Sequence, residues 1–206
     1  YKGKMGFEGL EKRRNHYGEN TALLAQMVIR YEDGTEELFV TDESWSGADA
    51  PVVFAEIYDG EIYDGAKEIK GWSEAGCTAG QWKPVRKLDY DFSVLTGQGS
   101  GKVSLMDEVK PKEIFETPEG DLVIDFGQNM SALIQVTATG KKGDVIRLDC
   151  FEVLDSKGNV YLDNLRGAKE SLQYTFGEDG TITYRPSFTF MGFRYAKIVS
   201  LSLIHI

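Results

Sequence analysis

Cysteine and histidine are scarce in this 206-residue chain, which has two of each. Cys77 and Cys150 fall in different predicted domains, so both read as unpaired thiols and no disulfide framework is expected. Together with His16 and His205 they match none of the ligand spacings of a zinc site, which excludes zinc chemistry. No apolar run approaches the roughly 18 residues of a membrane span, and nothing resembles a signal peptide. Because the chain starts at Tyr1 without an initiator Met, a targeting segment upstream stays open, and the expectation is a soluble protein, cytoplasmic or secreted. Basic residues are outnumbered, 23 against 33 acidic, for a net charge of -10. That charge repels nucleic acid and anionic membranes and leaves a neutral ligand such as a sugar compatible.

What the chain does have is apolar alternation. Apolar residues make up 41% and aromatics 12%, ample for packed cores. Period-two runs recur and helical stripes are few, so the prediction is all-β. Leu23 to Tyr31 and Glu37 to Thr41 flank Glu32-Asp-Gly-Thr35, where Asp-Gly supplies the positive φ of a hairpin turn. Val52 to Ile57 reads as a buried strand, Trp82 to Leu88 as another, and Gly71 to Gly80 as a loop. Thr96-Gly-Gln-Gly-Ser-Gly-Lys102 has the composition of a flexible connector and sets the predicted domain boundary. It is no phosphate loop, because Thr96 stands where the first Gly is required and Val103 where Ser or Thr belongs. Nor is Ser100 in a nucleophile elbow, since Gln98 and Lys102 occupy the flanking Gly positions. Beyond it, strands are predicted at 121–126, 132–139, 144–153, 171–176, 181–184 and 194–201, the spacing of a sandwich or jelly roll. Phe188, Phe190, Phe193 and Tyr195 alternate as a core face, with Arg194 turned outward. Trp45, Trp72 and Trp82 read as core anchors rather than as platforms for sugar rings.

Val53-Phe-Ala-Glu-Ile-Tyr-Asp-Gly-Glu-Ile-Tyr-Asp64 and Val123-Ile-Asp-Phe-Gly-Gln-Asn-Met130, with Tyr17 to Gln26, Asp42 to Trp45, Asn159 to Arg166 and Phe188 to Tyr195, resemble the accessory β-sandwich region of bacterial α-L-rhamnosidases. The resemblance follows the family's order over nearly the whole chain. It implies two jelly-roll-like β-sandwich domains: a partial N-terminal one over 1–95, a linker at 96–102, and a concanavalin-like one over 103–199. Residues 200–206 depart from the family pattern and read as a non-native tail. The resemblance further implies that the helical-barrel catalytic domain of the same polypeptide is the partner, that rhamnose-containing glycans are the substrates, and that this segment is itself inactive. Some sandwiches of this type hold rhamnose through calcium, which makes a calcium-dependent binding module one alternative and a structural spacer another.

Asp59, Glu61 and Asp64 sit in a near-repeat where several carboxylates meet one turn, the oxygen-rich chemistry calcium needs, or else they are solvated acids of a hairpin. Asn15, Glu19 and Asn20 are the carbohydrate-binding candidates, since amides and carboxylates suit hydroxyls that both donate and accept. The plain alternative is a loop capping the sheet. Asp125, Gln128 and Asn129 surround a Gly at a strand exit and, with Arg166, are candidates for an interdomain or cleft-edge role. Glu152, Asp155 and Asp163 invite a glycosidase assignment, but acids are plentiful here and a pair of them means little. The family's catalytic acids belong to the barrel, so none is assigned to this chain.

Overall fold

The computed structural model of the chain describes residues 20–201. Along it run β1 (Gln26–Arg30), β2 (Glu36–Val40), β3 (Ser46–Gly47), β4 (Val52–Glu56), β5 (Gly60–Asp64), β6 (Lys83–Pro84) and β7 (Glu113–Glu116). They are followed by β8 (Leu122–Ala132), β9 (Val136–Gly140), β10 (Val145–Phe151), β11 (Val153–Leu154), β12 (Val160–Tyr161), β13 (Ser171–Thr175), β14 (Gly180–Tyr184) and β15 (Met191–Leu201). Among the described residues there is no α-helix, only short 3-10 turns at Gly65–Lys67, Phe92–Val94 and Asp163–Leu165. The chain is all-β, as expected. It divides into two compact units, one of residues 20–49 and 69–106, the other of 50–68 and 107–201.

In the first unit β1 and β2 form the hairpin that Asp33-Gly34 predicts, with Arg30 paired to Glu36 across the turn. Gly34 adopts φ +87 and donates its N–H to Tyr31 O at 3.0 Å, while Asp33 Oδ1 accepts from Thr35 N at 2.9 Å. Nothing described in this unit is fully buried. That corrects the core assignment of the tryptophans: Trp45, Trp72 and Trp82 are all exposed, because no second layer lies over the hairpin among the described residues. Trp82 still ties down its loop, donating Nε1–H to Ala79 O at 2.6 Å. The expected strand at 82–88 contracts to β6, which pairs with β3.

The second unit is a seven-stranded sheet in the order β4-β5-β13-β10-β15-β8-β7. Every pairing is antiparallel except β5 with β13, which run parallel from Gly60↔Ser171 to Asp64↔Thr175. Adjacent residues send side chains to opposite faces of a strand, so Val123/Ile124, Cys150/Phe151 and Tyr195/Ala196 each divide between two cores. One core gathers Ile124, Ile146, Leu148, Leu172, Met191 and Phe193 under the β9–β14 ribbon, which contributes Ala138 and Tyr184. The other packs Val123, Phe151 and Tyr195 against Leu154 and Val160 of the β11–β12 pair. Phe151 and Phe193 have no exposed surface, and each such burial stabilises the fold by about 1.5–3 kcal/mol.

Two sequence expectations change here. β4 and β5, which lie within the predicted first domain, form one edge of the second unit's sheet. The cause is the β5–β13 pairing, a contact across more than a hundred residues that no local pattern encodes. Being an edge strand, β4 is also not buried: Val53 and Phe54 are exposed. Second, Phe193 and Tyr195 are buried but Phe188 and Phe190 are 69% and 54% exposed. β15 begins only at Met191, so the two earlier phenylalanines lie on the loop before it. A register break further separates Phe193 from Tyr195: Phe193 pairs with Met130 and Tyr195 with Asp125, leaving residues 126–129 opposite Arg194 alone.

Candidate functional site

The acids of β5 and its turn are held by separate partners. Glu61, 1% exposed, accepts from the Tyr184 hydroxyl at 2.9 Å on Oε1 and from the backbone N–H groups of Ser187 and Phe188 at 3.0 and 2.9 Å on Oε2. Burial and this neighbouring carboxylate push the Tyr184 hydroxyl pKa well up. Asp59 is buried, with Oδ2 3.8 Å from Lys169 Nζ. Asp64 caps the Gly65–Lys67 turn by accepting from Ala66 N at 3.1 Å. Glu56, also buried, accepts from Tyr58 N and Asp59 N at 2.7 and 2.9 Å, and its carbonyl takes a hydrogen bond from Thr189 Oγ1 at 3.2 Å. Both oxygens of Glu61 are committed, and Asp64 serves a different turn. Among the described residues no group of three or more His, Cys, Asp or Glu is arranged to hold a metal ion.

The Asp125-Phe-Gly-Gln-Asn129 motif occupies the irregular stretch of β8. Arg194, isolated opposite it, forks onto the Asp125 carboxylate with Nε–Oδ1 at 2.9 Å and Nη2–Oδ2 at 2.8 Å. Asp125 Oδ1 also accepts from Gly127 N at 2.6 Å, and Gly127 takes φ +82 to make that close turn. The guanidinium stands 4.9 Å over the Tyr195 ring. These hydrogen bonds, that from Arg194 first, hold the Asp125 carboxyl below the usual carboxylate range. Stability from the pair is therefore present above the ordinary carboxylate pKa and is lost as pH falls through the lowered folded value. Gln128 is exposed. Asn129 Nδ2 donates to Glu152 Oε1 at 3.1 Å, and Asn164 Nδ2 donates to Glu152 Oε2 at 2.8 Å.

Arg166 is exposed at φ +60 and meets Asp163 only through its backbone, N–H to carbonyl at 3.2 Å, rather than as an ion pair. Asn20 Oδ1 accepts from Arg86 Nη2 at 2.8 Å within the first unit. Asn15 and Glu19 lie outside the described residues. Among the described candidates, the structure joins Asn129 with Glu152 and Asp125 with Arg194.

Sequence reasoning missed Glu170. Its backbone is held at φ +44 by an N–H bond to Tyr58 O and a carbonyl bond from Cys150 N, at 3.0 and 2.8 Å. Its buried Oε2 has no hydrogen-bond partner among the described residues. Burial, with the Glu152 charge adding to it, raises the carboxyl from 4.5 to about 7. A raised carboxyl stabilises the fold fully below its unfolded pKa and loses that contribution as pH rises through about 7. Glu170→Gln is expected to be neutral at pH 5 and more stable than the parent at pH 8, by roughly 1 kcal/mol after discounting for solvent screening. Urea midpoints of both proteins at the two pH values check this; a difference independent of pH contradicts it. No alternation or motif marks Glu170 in the sequence, because its environment comes from β10 and the Tyr58 turn.

A mixed sheet with short ribbons over each face makes the second unit a β-sandwich of the concanavalin-like class. The family model for the alpha-L-rhamnosidase N-terminal domain matches residues 1–107, and that for the bacterial alpha-L-rhamnosidase concanavalin-like domain matches 115–204. An alpha-L-rhamnosidase of Streptomyces avermitilis is 37% identical over 199 residues, 96% of this chain and 19% of the relative. The crystal structure of that organism's enzyme complexed with L-rhamnose superposes with a TM-score of 0.86 over 96% of this chain and 19% of its own, at 37% identity. The native Aspergillus terreus enzyme gives a TM-score of 0.91 at 33% identity, covering 98% of this chain and 23% of that one. The chain belongs to the bacterial α-L-rhamnosidase family and carries its N-terminal and concanavalin-like domains. It spans about a fifth of the length of these relatives. No described helix is long and apolar enough to cross a membrane.

Proposed function

We propose that this chain is the non-catalytic accessory part of an α-L-rhamnosidase, which packs against the catalytic barrel and shapes one wall of its cleft. The parent reaction is hydrolysis of terminal α-L-rhamnosyl bonds in rhamnose-containing glycans, with the general acid and base supplied from outside this chain. The observation that carries the reading is coverage: two successive accessory domains account for nearly all of the chain, while most of each relative lies beyond it. The commitments of the acids support it. Asp125 is locked to Arg194, Glu61 to the Ser187–Phe188 backbone, and Glu152 to two asparagine amides. Asp155 serves its own turn, accepting from Lys157 N and Asn159 N. The irregular Phe126–Asn129 stretch, with Gln128 and Asn129 at the surface, is the segment we assign to the cleft edge.

The test is a calorimetric titration of the folded chain with L-rhamnose, with and without calcium. An accessory scaffold gives no saturable heat. Calcium-dependent heat abolished by EDTA overturns this reading in favour of a rhamnose-binding module.

A further inference from the structure

A short segment of the second unit, residues 163–169, leads from β12 toward β13 and is held at few points. Asn164 Nδ2 donates to Glu152 Oε2 at 2.8 Å, Lys169 N donates to Tyr58 O at 3.1 Å, and Leu165 packs against the core of Val123, Phe151 and Tyr195. Arg166 within the segment and Glu170 at its end take φ +60 and +44, a left-handed backbone that residues with a side chain seldom adopt. Such positions store strain and persist only while their surroundings enforce them. A segment with so few ties opens locally at less cost than the fold as a whole.

The tie at Asn164 depends on one carboxylate set against another. Glu152 accepts from Asn164 on one oxygen and from Asn129 of β8 on the other. Glu170 has a buried Oε2 with no hydrogen-bond partner among the described residues, and the Glu152 charge acts against its ionisation. The cations nearby are engaged elsewhere or exposed: Lys169 lies against Asp59, Arg147 of β10 against Asp149, and Arg166 faces solvent. Asp149 and Asp163 add only negative charge, the Cys150 thiol is held neutral by burial, and Glu56 is bound to the Tyr58 and Asp59 amides. Cys150 N donates to Glu170 O, which stitches the two backbones together, so the carboxylates part through their side chains. Glu152, bonded to two exposed asparagines, is the one with a path to water, and it leaves by giving up Asn164. We propose that residues 163–169 are a latch, closed while Glu170 carries its proton and opened when Glu170 and Glu152 are both charged.

The closed form keeps the proton, and the open form gives it up, between the ordinary carboxylate pKa of 4.5 and about 7, so opening rises across that range and levels off above it. Hydrogen exchange of the chain, read by NMR at pH 5 and pH 8 and corrected for the intrinsic rate, tests the latch. The opening constants of the Arg166, Ala168 and Lys169 amides are expected to rise about fivefold over that interval. At both pH values they exceed those of the β10 amides by at least about a hundredfold, the mark of a local opening. In Glu170→Gln the rise disappears while the difference from β10 remains. No rise in the parent overturns the inference, as does a rise that survives Glu170→Gln. Opening constants equal to those of β10 also overturn it, since the segment then moves only when the whole unit unfolds.

Discussion

Glu61→Ala is expected to lower the stability of the second unit by roughly 3–5 kcal/mol, a large part of what a domain has. The substitution removes one acceptor that serves three donors: the Tyr184 hydroxyl, Ser187 N and Phe188 N. Hydrogen bonds to a charged acceptor contribute about 1.5–3 kcal/mol each, and the Tyr184 hydroxyl left behind is buried. Glu61→Gln keeps the volume and the contacts, its carbonyl oxygen accepting from Ser187 N and Phe188 N and its NH2 donating to the Tyr184 oxygen, so only the charge-assisted strength is lost, about 1 kcal/mol. Urea unfolding followed by tyrosine fluorescence measures both. A loss under about 1 kcal/mol for Glu61→Ala would mean that the Ser187–Phe188 loop is held by something else.

Gly60→Ala has a still larger expected effect. Gly60 sits at φ +98, and a Cβ built there lies 1.8 Å from the Ser171 carbonyl oxygen, backbone that cannot step aside without parting β5 from β13. Positive φ alone costs an alanine about 1 kcal/mol, whereas the clash strikes the first pair of the only parallel ladder in the sheet. The expectation is a loss above about 4 kcal/mol or a protein that does not fold. Gly143→Ala is the matched control: its φ is +88 but nothing lies within 4 Å of the added carbon, so it costs only about 1 kcal/mol. Thermal melts of the two variants side by side decide the matter, and similar melting temperatures would contradict the β5–β13 pairing.

These variants also mark where sequence reasoning stops. The β1–β2 turn is legible because its cause lies within a few residues: Asp33 bonds Thr35, and Gly34 accepts a positive φ. Alternation likewise locates β10, β13 and β15, whose cores repeat every second residue. It does not reveal that β5 lies beside β13, nor that four residues of β8 face Arg194 alone, since both are registers between distant segments. For the same reason the acids of β5 look like a ligand cluster in sequence. Strand geometry turns Glu61 inward to Tyr184 and leaves Asp64 at the strand end, capping a 3-10 turn. Asp125 and Asn129 lie within β8 rather than at a strand exit, and their partners Arg194 and Glu152 come from distant segments that only the fold brings near.

The most direct measurement is turnover of p-nitrophenyl α-L-rhamnopyranoside by the isolated chain and by the full-length polypeptide that carries it, at equal concentration. The account predicts hydrolysis by the full-length protein and none above background by the chain alone. Hydrolysis by the purified chain, abolished by substituting one of its own acids such as Glu170 or Glu152, would contradict it.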